Sequence, residues 1–364
     1  SLILSKSNKK VTRVIKRCVL VGFFRADIIK ITERQWCPLK TDLTKEVHVF
    51  MKSFSAALLI VLALASSSFA SAPSNHIKVE LTRPMIEVFE DVTFAQHFTW
   101  PETRLKMDIF KPESDKPLPA VVFVTGGGFI AAPKTRYIQQ RVRIAEAGYI
   151  VASVEYRVIP NGRYSDAVKD VKSAIRWLRA HSETFGVDPE RIAVMGDSAG
   201  GYMSAMVGTS NGVKEFDEGE YLGYSSDVKA AIDIYGLSDL TKVAADFPPE
   251  VQEIYKHSGS SPAIYVNGLP PFGEGGSIYS TPERAKAANP ATYISPKSAP
   301  FLLMHGDKDS LVSPSQTELL HEALTAAGIE STRYVVEGAE HADHYWNQPE
   351  IERIIIEFLD KHLK

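Results

Sequence analysis

Cysteine is all but missing from this sequence. Its two copies, Cys18 and Cys37, both lie in the first 50 residues, so residues 73–364 form no disulfide and use no thiol as nucleophile or metal ligand. Methionine is missing from the start, the first being Met51. Acidic residues are scarce early: residues 1–72 carry 12 of the 41 Lys and Arg but only 4 of the 44 Asp and Glu. The rest therefore holds 29 basic and 40 acidic side chains, a net of −11. A body that acidic argues against nucleic acid or an anionic membrane surface as partner. Long apolar runs are absent too, and the run Ala56–Ala65 is too short to span a bilayer. Internal repeats are not found.

What is present at Met51 reads as an export signal. Lys52 supplies a weak positive end, Ala56–Ala65 the apolar run, and Ala70-Ser71-Ala72 a small-residue cleavage pattern. Residues 51–72 are thus expected to be a signal peptide and the protein to be secreted or periplasmic. Residues 1–50 are expected to be upstream translation or a disordered extension, and residues 73–364 one domain. No stable membrane insertion is expected.

From about residue 86, short apolar runs alternate with amphipathic stretches, the pattern of a parallel sheet flanked by helices. Eight strands are expected: Ile86–Val92, Leu105–Phe110, Ala120–Val124, Ile150–Glu155, Ile192–Met195, Ala230–Ile234, Pro300–His305 and Thr332–Val336. Helices are expected near Thr135–Ala147, Tyr164–Phe185, Ser198–Gly208, Pro314–Ala327 and Pro349–Leu363. In the second of these, Val168, Val171, Ala174, Ile175 and Leu178 share one face. Ser313-Pro314-Ser315-Gln316 offers a capping Ser, a first-turn Pro and a Gln three residues on, and Gly328 a stop. Thr241–Ala299, rich in Pro and Gly, breaks the alternation and is expected to be a lid or pocket insertion.

The sharpest chemical signal is Gly196-Asp197-Ser198-Ala199-Gly200, a G-x-S-x-G set between a strand and a helix. Glycines there permit a tight turn that presents the Ser198 hydroxyl above the sheet edge. A serine needs a base, and the base an orienting acid. Asp307 and Asp309 follow one late strand, and His341 and His344 follow the last. Gly126, Gly127 and Gly128 follow the strand Ala120–Val124, with backbone N–H groups suited to an anion. The spacing does not fit a dinucleotide fingerprint, and no G-K-[ST] ends the loop as a phosphate-binding loop requires. The cluster His341-Asp343-His344 lacks further spaced metal ligands.

GDSAGG at 196–201, HGDKD at 305–309, GAEH at 338–341 and EYR at 155–157 together resemble the esterase branch of the α/β-hydrolase superfamily. The resemblance is to hormone-sensitive-lipase-like carboxylesterases and to feruloyl and acetyl-xylan esterases. It implies an α/β-hydrolase fold, with Ser198 as nucleophile, Asp309 as acid and His341 as base. Asp307 is then a turn former and His344 a packed or surface residue. It also implies oxyanion donors at Gly127, Gly128 and Ala199, no cofactor, no metal, and a small-molecule or polysaccharide-linked ester as substrate. One position departs from the family, whose loop usually reads H-G-G-G where this chain has Thr125. Thr125 is expected to organise the loop through its hydroxyl. Two rival functions are a prolyl-oligopeptidase-like peptidase, disfavoured by the missing propeller domain, and an inert hydrolase fold used for binding.

Overall fold

Along Leu118–Val124 every side chain from Pro119 onward is buried, and the side chains divide by parity. Val122 and Val124 enter one apolar cluster, Val121 and Phe123 another. A strand with apolar groups on both faces needs a layer of helices on each side. The computed structural model, which describes residues 74–98, 102–271 and 273–364, has that layered arrangement. The stretches 1–50 and 51–72 lie outside the described residues.

The chain divides into two units, 1–79 and Glu80–Lys364. Of the first, residues 74–79 are described and carry no regular secondary structure. The second holds β1 (Ile86–His97), β2 (Thr103–Pro112), β3 (Leu118–Val124), β4 (Ile150–Val154), β5 (Val187–Asp197), β6 (Ala231–Ile234), β7 (Phe301–Gly306) and β8 (Ser331–Val336). They form one sheet in the order β1-β2-β4-β3-β5-β6-β7-β8. β2 runs antiparallel to both β1 and β4, and all pairs from β4 to β8 are parallel. The fold is that of an α/β-hydrolase.

One face is covered by α1 (Ile138–Glu146) and the C-terminal α9 (Pro349–Leu363), through Ile144, Ile351, Ile355 and Leu359. The other is covered by α2 (Tyr164–Ala180), α4 (Ala199–Thr209) and α8 (Ser315–Ala326). Val168, Val171, Ala174, Ile175 and Leu178 of α2 are all fully buried, and each of the Val, Ile and Leu side chains contributes roughly 1.5–3 kcal/mol. All eight expected strands are present.

Two local expectations are corrected. The helix expected to run to Phe185 breaks at His181, and a short α3 (Ser182–Phe185) follows, ended by Gly186 at φ 69°. The Ser313 capping box does not form. The Ser313 hydroxyl instead accepts the Asp246 N–H at 2.9 Å, and the Asp246 carboxylate caps α8 from outside by accepting the Ser315 N–H at 2.9 Å. Gln316 is drawn away to Ser238 and Lys242. Tertiary partners outcompete the local ones.

The stretch between β6 and β7 is more ordered than its composition implied. It carries α5 (Pro249–Lys256), α6 (Ser261–Asn267) and α7 (Pro282–Ala287). α6 is anchored through Tyr265, whose ring stacks on Phe129 at 4.1 Å. α5 buries no residue.

Candidate active site

β5 ends at Asp197 and α4 begins at Ala199, so Ser198 makes the turn between them, at φ 52° and ψ −121°. That conformation costs a serine on the order of 1–3 kcal/mol and persists only where neighbours enforce it. They do: the Ser198 N–H donates to the Ile234 carbonyl of β6 at 2.9 Å. Gly200 lets α4 sit hard against β3, since a Cβ there would stand 1.9 Å from the Val124 carbonyl oxygen.

One candidate from the loop after β7 and one from the loop after β8 line up with this serine. The Ser198 hydroxyl lies 2.8 Å from His341 Nε2, and His341 Nδ1 lies 2.7 Å from Asp309 Oδ2. An ionised carboxylate only accepts, so Nδ1 carries the imidazole proton and the Nε2 lone pair is left for the serine O–H. A hydroxyl so placed has a route for its proton. Asp307 and His344 are not brought in. Asp307 is exposed and accepts the Gly338 N–H at 2.6 Å, pinning the turn after β8. That hydrogen bond holds its carboxyl below the usual range. His344 is exposed beside Tyr345. Among the described residues no His, Cys, Asp and Glu cluster could hold a metal.

Asp309 is the most tightly held member. Burial alone would raise its carboxyl, but hydrogen bonds from His305 and His341 and from the Val312 N–H hold it well below the ordinary value. Its Oδ1 accepts the N–H groups of Leu311 and Val312, both at 2.9 Å. His305, to which no motif assigns a role, braces this carboxylate. Its Nε2 lies 3.1 Å from both Asp309 Oδ2 and the Val312 carbonyl. Both are acceptors, so Nε2 carries a proton and donates. Its one signal in the sequence was a histidine closing an apolar strand, four residues before the aspartate.

Beside the serine, the loop after β3 is braced through its carbonyls. The Gly127 carbonyl accepts the N–H groups of Ile130 and Ala131, both at 3.1 Å. Among the described residues, no backbone acceptor takes the N–H of Gly127, Gly128 or Ala199. Ala199 opens α4, where N–H groups have no partner within the helix and favour negative charge. The expectation for Thr125 is not met. Its Oγ1 is buried and, among the described residues, has no hydrogen-bond partner. The loop is held by others. Tyr156 of the EYR stretch donates its hydroxyl to the Thr125 carbonyl at 3.0 Å, and the Gly126 N–H donates to Asp197 Oδ1 at 3.0 Å. Arg157 of the same stretch pairs with the buried Asp170 at 2.9 Å.

Backbone strain marks the same place. Of seven described non-glycine residues with positive φ, five are Phe129, Tyr137, Ser198, Tyr235 and Ala342, in or beside this site. Strain concentrated at one spot is characteristic of functional sites.

Comparison with known proteins gives the family. The BD-FAE family model matches residues 107–324, and the chain belongs to that family. A probable isoprenylcysteine alpha-carbonyl methylesterase of Arabidopsis thaliana is 30% identical over 68% of this chain and 50% of its own length. Esterase LipC of Mycobacterium tuberculosis is 31% identical over 62% of this chain and 53% of its own. The chain thus spans about half the length of the curated relatives it matches. Among solved structures, a truncated carbohydrate esterase from gut microbiota has TM-score 0.67 at 23% identity, covering 78% of this chain and 98% of that one. Thermogutta terrifontis esterase 2 with bound propionate has TM-score 0.58 at 25% identity, covering 76% of this chain and 94% of that one. Among the described residues, no helix is long and apolar enough to cross a membrane.

Proposed function

We propose that this chain is a serine carboxylic ester hydrolase. The observation that carries the reading is the hydrogen-bonded chain from the Ser198 hydroxyl through His341 to Asp309, at 2.8 and 2.7 Å. Ser198 Oγ attacks the ester carbonyl carbon while its proton passes to His341 Nε2, and the carbonyl electron pair moves onto oxygen. The N–H groups of Gly127, Gly128 and Ala199 stabilise that oxyanion, and losing one such donor typically costs about 3 kcal/mol. Asp309 steadies the imidazolium, which protonates the departing alkoxide as the C–O bond breaks. Water, deprotonated by His341, then attacks the acyl carbon, and the bond to Ser198 Oγ breaks as the imidazolium returns its proton to that oxygen, releasing the acid. The buried, donor-rich setting of Asp309 favours this role because it keeps the carboxylate ionised.

The substrate class we favour is a short-acyl ester, including acyl groups on plant polysaccharide. A propionate-bound relative of the same fold supports the short acyl group, and methylesterase relatives support a small group on one side of the ester. The stretch 241–299, with α5 outermost, would act as the lid. Export through the signal 51–72 belongs to this reading, and an exported protein beginning at Pro73 would support it.

A related esterase has been captured phosphorylated by paraoxon, so an organophosphate is the natural probe. The decisive experiment is fluorophosphonate labelling followed by peptide mapping. Label on Ser198, with p-nitrophenyl acetate hydrolysed far faster than aminoacyl anilides, is the expected result. Preference for the anilides would make it a peptidase. An unlabelled Ser198 would make it a binding protein.

A further inference from the structure

Asp197 lies between the two halves of the site and has no part in the proton route through Ser198, His341 and Asp309. It is buried, at 3% exposure. Its Oδ1 accepts the N–H of Gly126, the first glycine of the loop, at 3.0 Å. That contact is enforced by shape: a Cβ on Gly126 would stand 2.7 Å from Asp197 Oδ2 and 2.8 Å from Ser198 Cβ. The aspartate thereby ties the glycine loop to the residue that makes the turn.

On its other side Asp197 faces Tyr137. Tyr137 and Tyr235 share a hydroxyl–hydroxyl hydrogen bond of 2.6 Å, and the Tyr235 ring packs edgewise on the His341 imidazole at 4.8 Å. Tyr137 at φ 54° and Tyr235 at φ 41° both occupy the left-handed region that bulky residues avoid. Two strained tyrosines meeting over one carboxyl mark positions over-determined by their surroundings. The remaining ionisable groups whose fields reach Asp197 are His341 and Arg136, with the Tyr156 hydroxyl nearby. Among the described residues none forms an ion pair with it.

We infer that Asp197, with the Tyr137–Tyr235 pair, is a positioning network that holds the Gly126–Gly128 loop and the His341 ring in register with Ser198. It explains how the loop keeps its shape without a histidine at position 125. The anchor comes from the residue before Ser198 and not from the head of the loop. The Asp197 side chain does not touch the substrate in this assignment, and either ionisation state offers an acceptor to the Gly126 N–H. Burial pushes its carboxyl up to about 6 against the pull of Gly126 and His341, so both states occur near neutrality.

The inference rests on the serine hydrolase reading, and the test keeps the two apart. Full-length wild type, Asp197→Asn, Asp197→Ala and Tyr137→Phe are compared for kcat and KM on p-nitrophenyl acetate, for the rate of Ser198 labelling by a fluorophosphonate, and for Tm. Asn keeps an oxygen for Gly126, whereas Ala does not. Expected are a loss of about 100-fold in kcat and in labelling rate for Asp197→Ala with KM little changed, as for a loop displaced by about 1 Å. Asp197→Asn is expected within about 5-fold of wild type, and Tyr137→Phe to lose roughly 5-fold, one neutral hydrogen bond. If Asp197→Ala does not fold, the Asn and Phe variants still decide. Asn as inactive as a Ser198→Ala control, or Tyr137→Phe and Asp197→Ala both indistinguishable from wild type, overturns the network. A wild type that the probe does not label at Ser198 overturns the hydrolase reading instead.

Discussion

Where the parallel strands begin, the buried Arg179, Arg176 and Lys172 are each held by several acceptors; where the same strands end, two buried polar side-chain oxygens beside the site are left short. At the first end, Arg179 donates to the carbonyls of Pro189, Ser225 and Asp227. Arg176 reaches the carbonyls of Glu218 and Glu220 and the Asp217 carboxylate, and Lys172 reaches the Ser210 carbonyl and Ser226. At the other end Thr125 Oγ1 and Asp233 Oδ2 lack partners among the described residues, and the left-handed residues Ser198, Tyr137 and Tyr235 gather. The first end stitches loops to a rigid base with satisfied hydrogen bonds. The second stores strain, and only rigidity elsewhere makes that tolerable. The division matches the rule that sites of open α/β sheets lie beyond the carboxyl ends of the strands.

Four measurements would sharpen or break this contrast. The largest effect is expected at the strained end. Asp309→Asn presents an amide to His341 Nδ1, which disfavours the productive tautomer, and kcat should fall by about 10⁴. A loss below tenfold would show that the carboxylate does not orient the imidazole.

At the opposite end the currency should be stability. Arg179→Met leaves three carbonyls without their donor, at a cost of about 3 kcal/mol or more, while kcat of the folded enzyme stays unchanged. Denaturant melts beside esterase assays would test this. An activity loss without destabilisation would erase the distinction between the two ends.

A smaller change is expected at His305, which belongs to the site without entering its chemistry. His305→Gln retains a donor for Asp309 and should cost a few-fold in kcat, whereas His305→Leu should cost about tenfold, the worth of one charge-assisted hydrogen bond. Equal activity of the two would show that only its volume counts.

The last measurement is of pH dependence. Burial pushes Asp233 up to about 8 and Asp197 up to about 6, from an ordinary value of 3.8. A carboxyl raised on folding contributes stability that is complete below its unfolded value and lost as pH rises through the folded one. Asp309, depressed on folding, acts oppositely and loses its contribution as pH falls below the ordinary carboxylate range. Wild-type Tm should therefore decline as pH rises from about 5 to about 8, and Asp233→Asn should flatten that decline. A wild-type profile level across that window would refute the assignment.

Much of this was legible in the residues themselves. Each apolar run that became a strand was visible because a strand buried on both faces admits little else, as in Ala120–Val124. Gly196 to Gly200 announced a tight turn through spacing alone. The limits are equally specific. Val187–Arg191, polar and lying before the apolar core of β5, is drawn into the strand by pairing such as Leu118 with Val187. Ser313 looked like a cap and instead serves Asp246. The helices within 241–299 were hidden by prolines that open them, at Pro249, Pro262 and Pro282.

What the sequence determined by itself was periodicity and local chemistry: eight strands, five main helices, a serine in a turn, and carboxylates and histidines at later strand ends. What only the tertiary structure decided was choice among equivalents. Asp309 and not Asp307 lies by His341, His341 and not His344 reaches Ser198, and Asp197 rather than Thr125 takes the Gly126 N–H. The physical reason is reach. Patterning along a chain is fixed by neighbours three or four residues away, whereas a hydrogen bond of 2.8 Å between Ser198 and His341, 143 residues apart in sequence, exists only once the sheet has set both strand ends side by side.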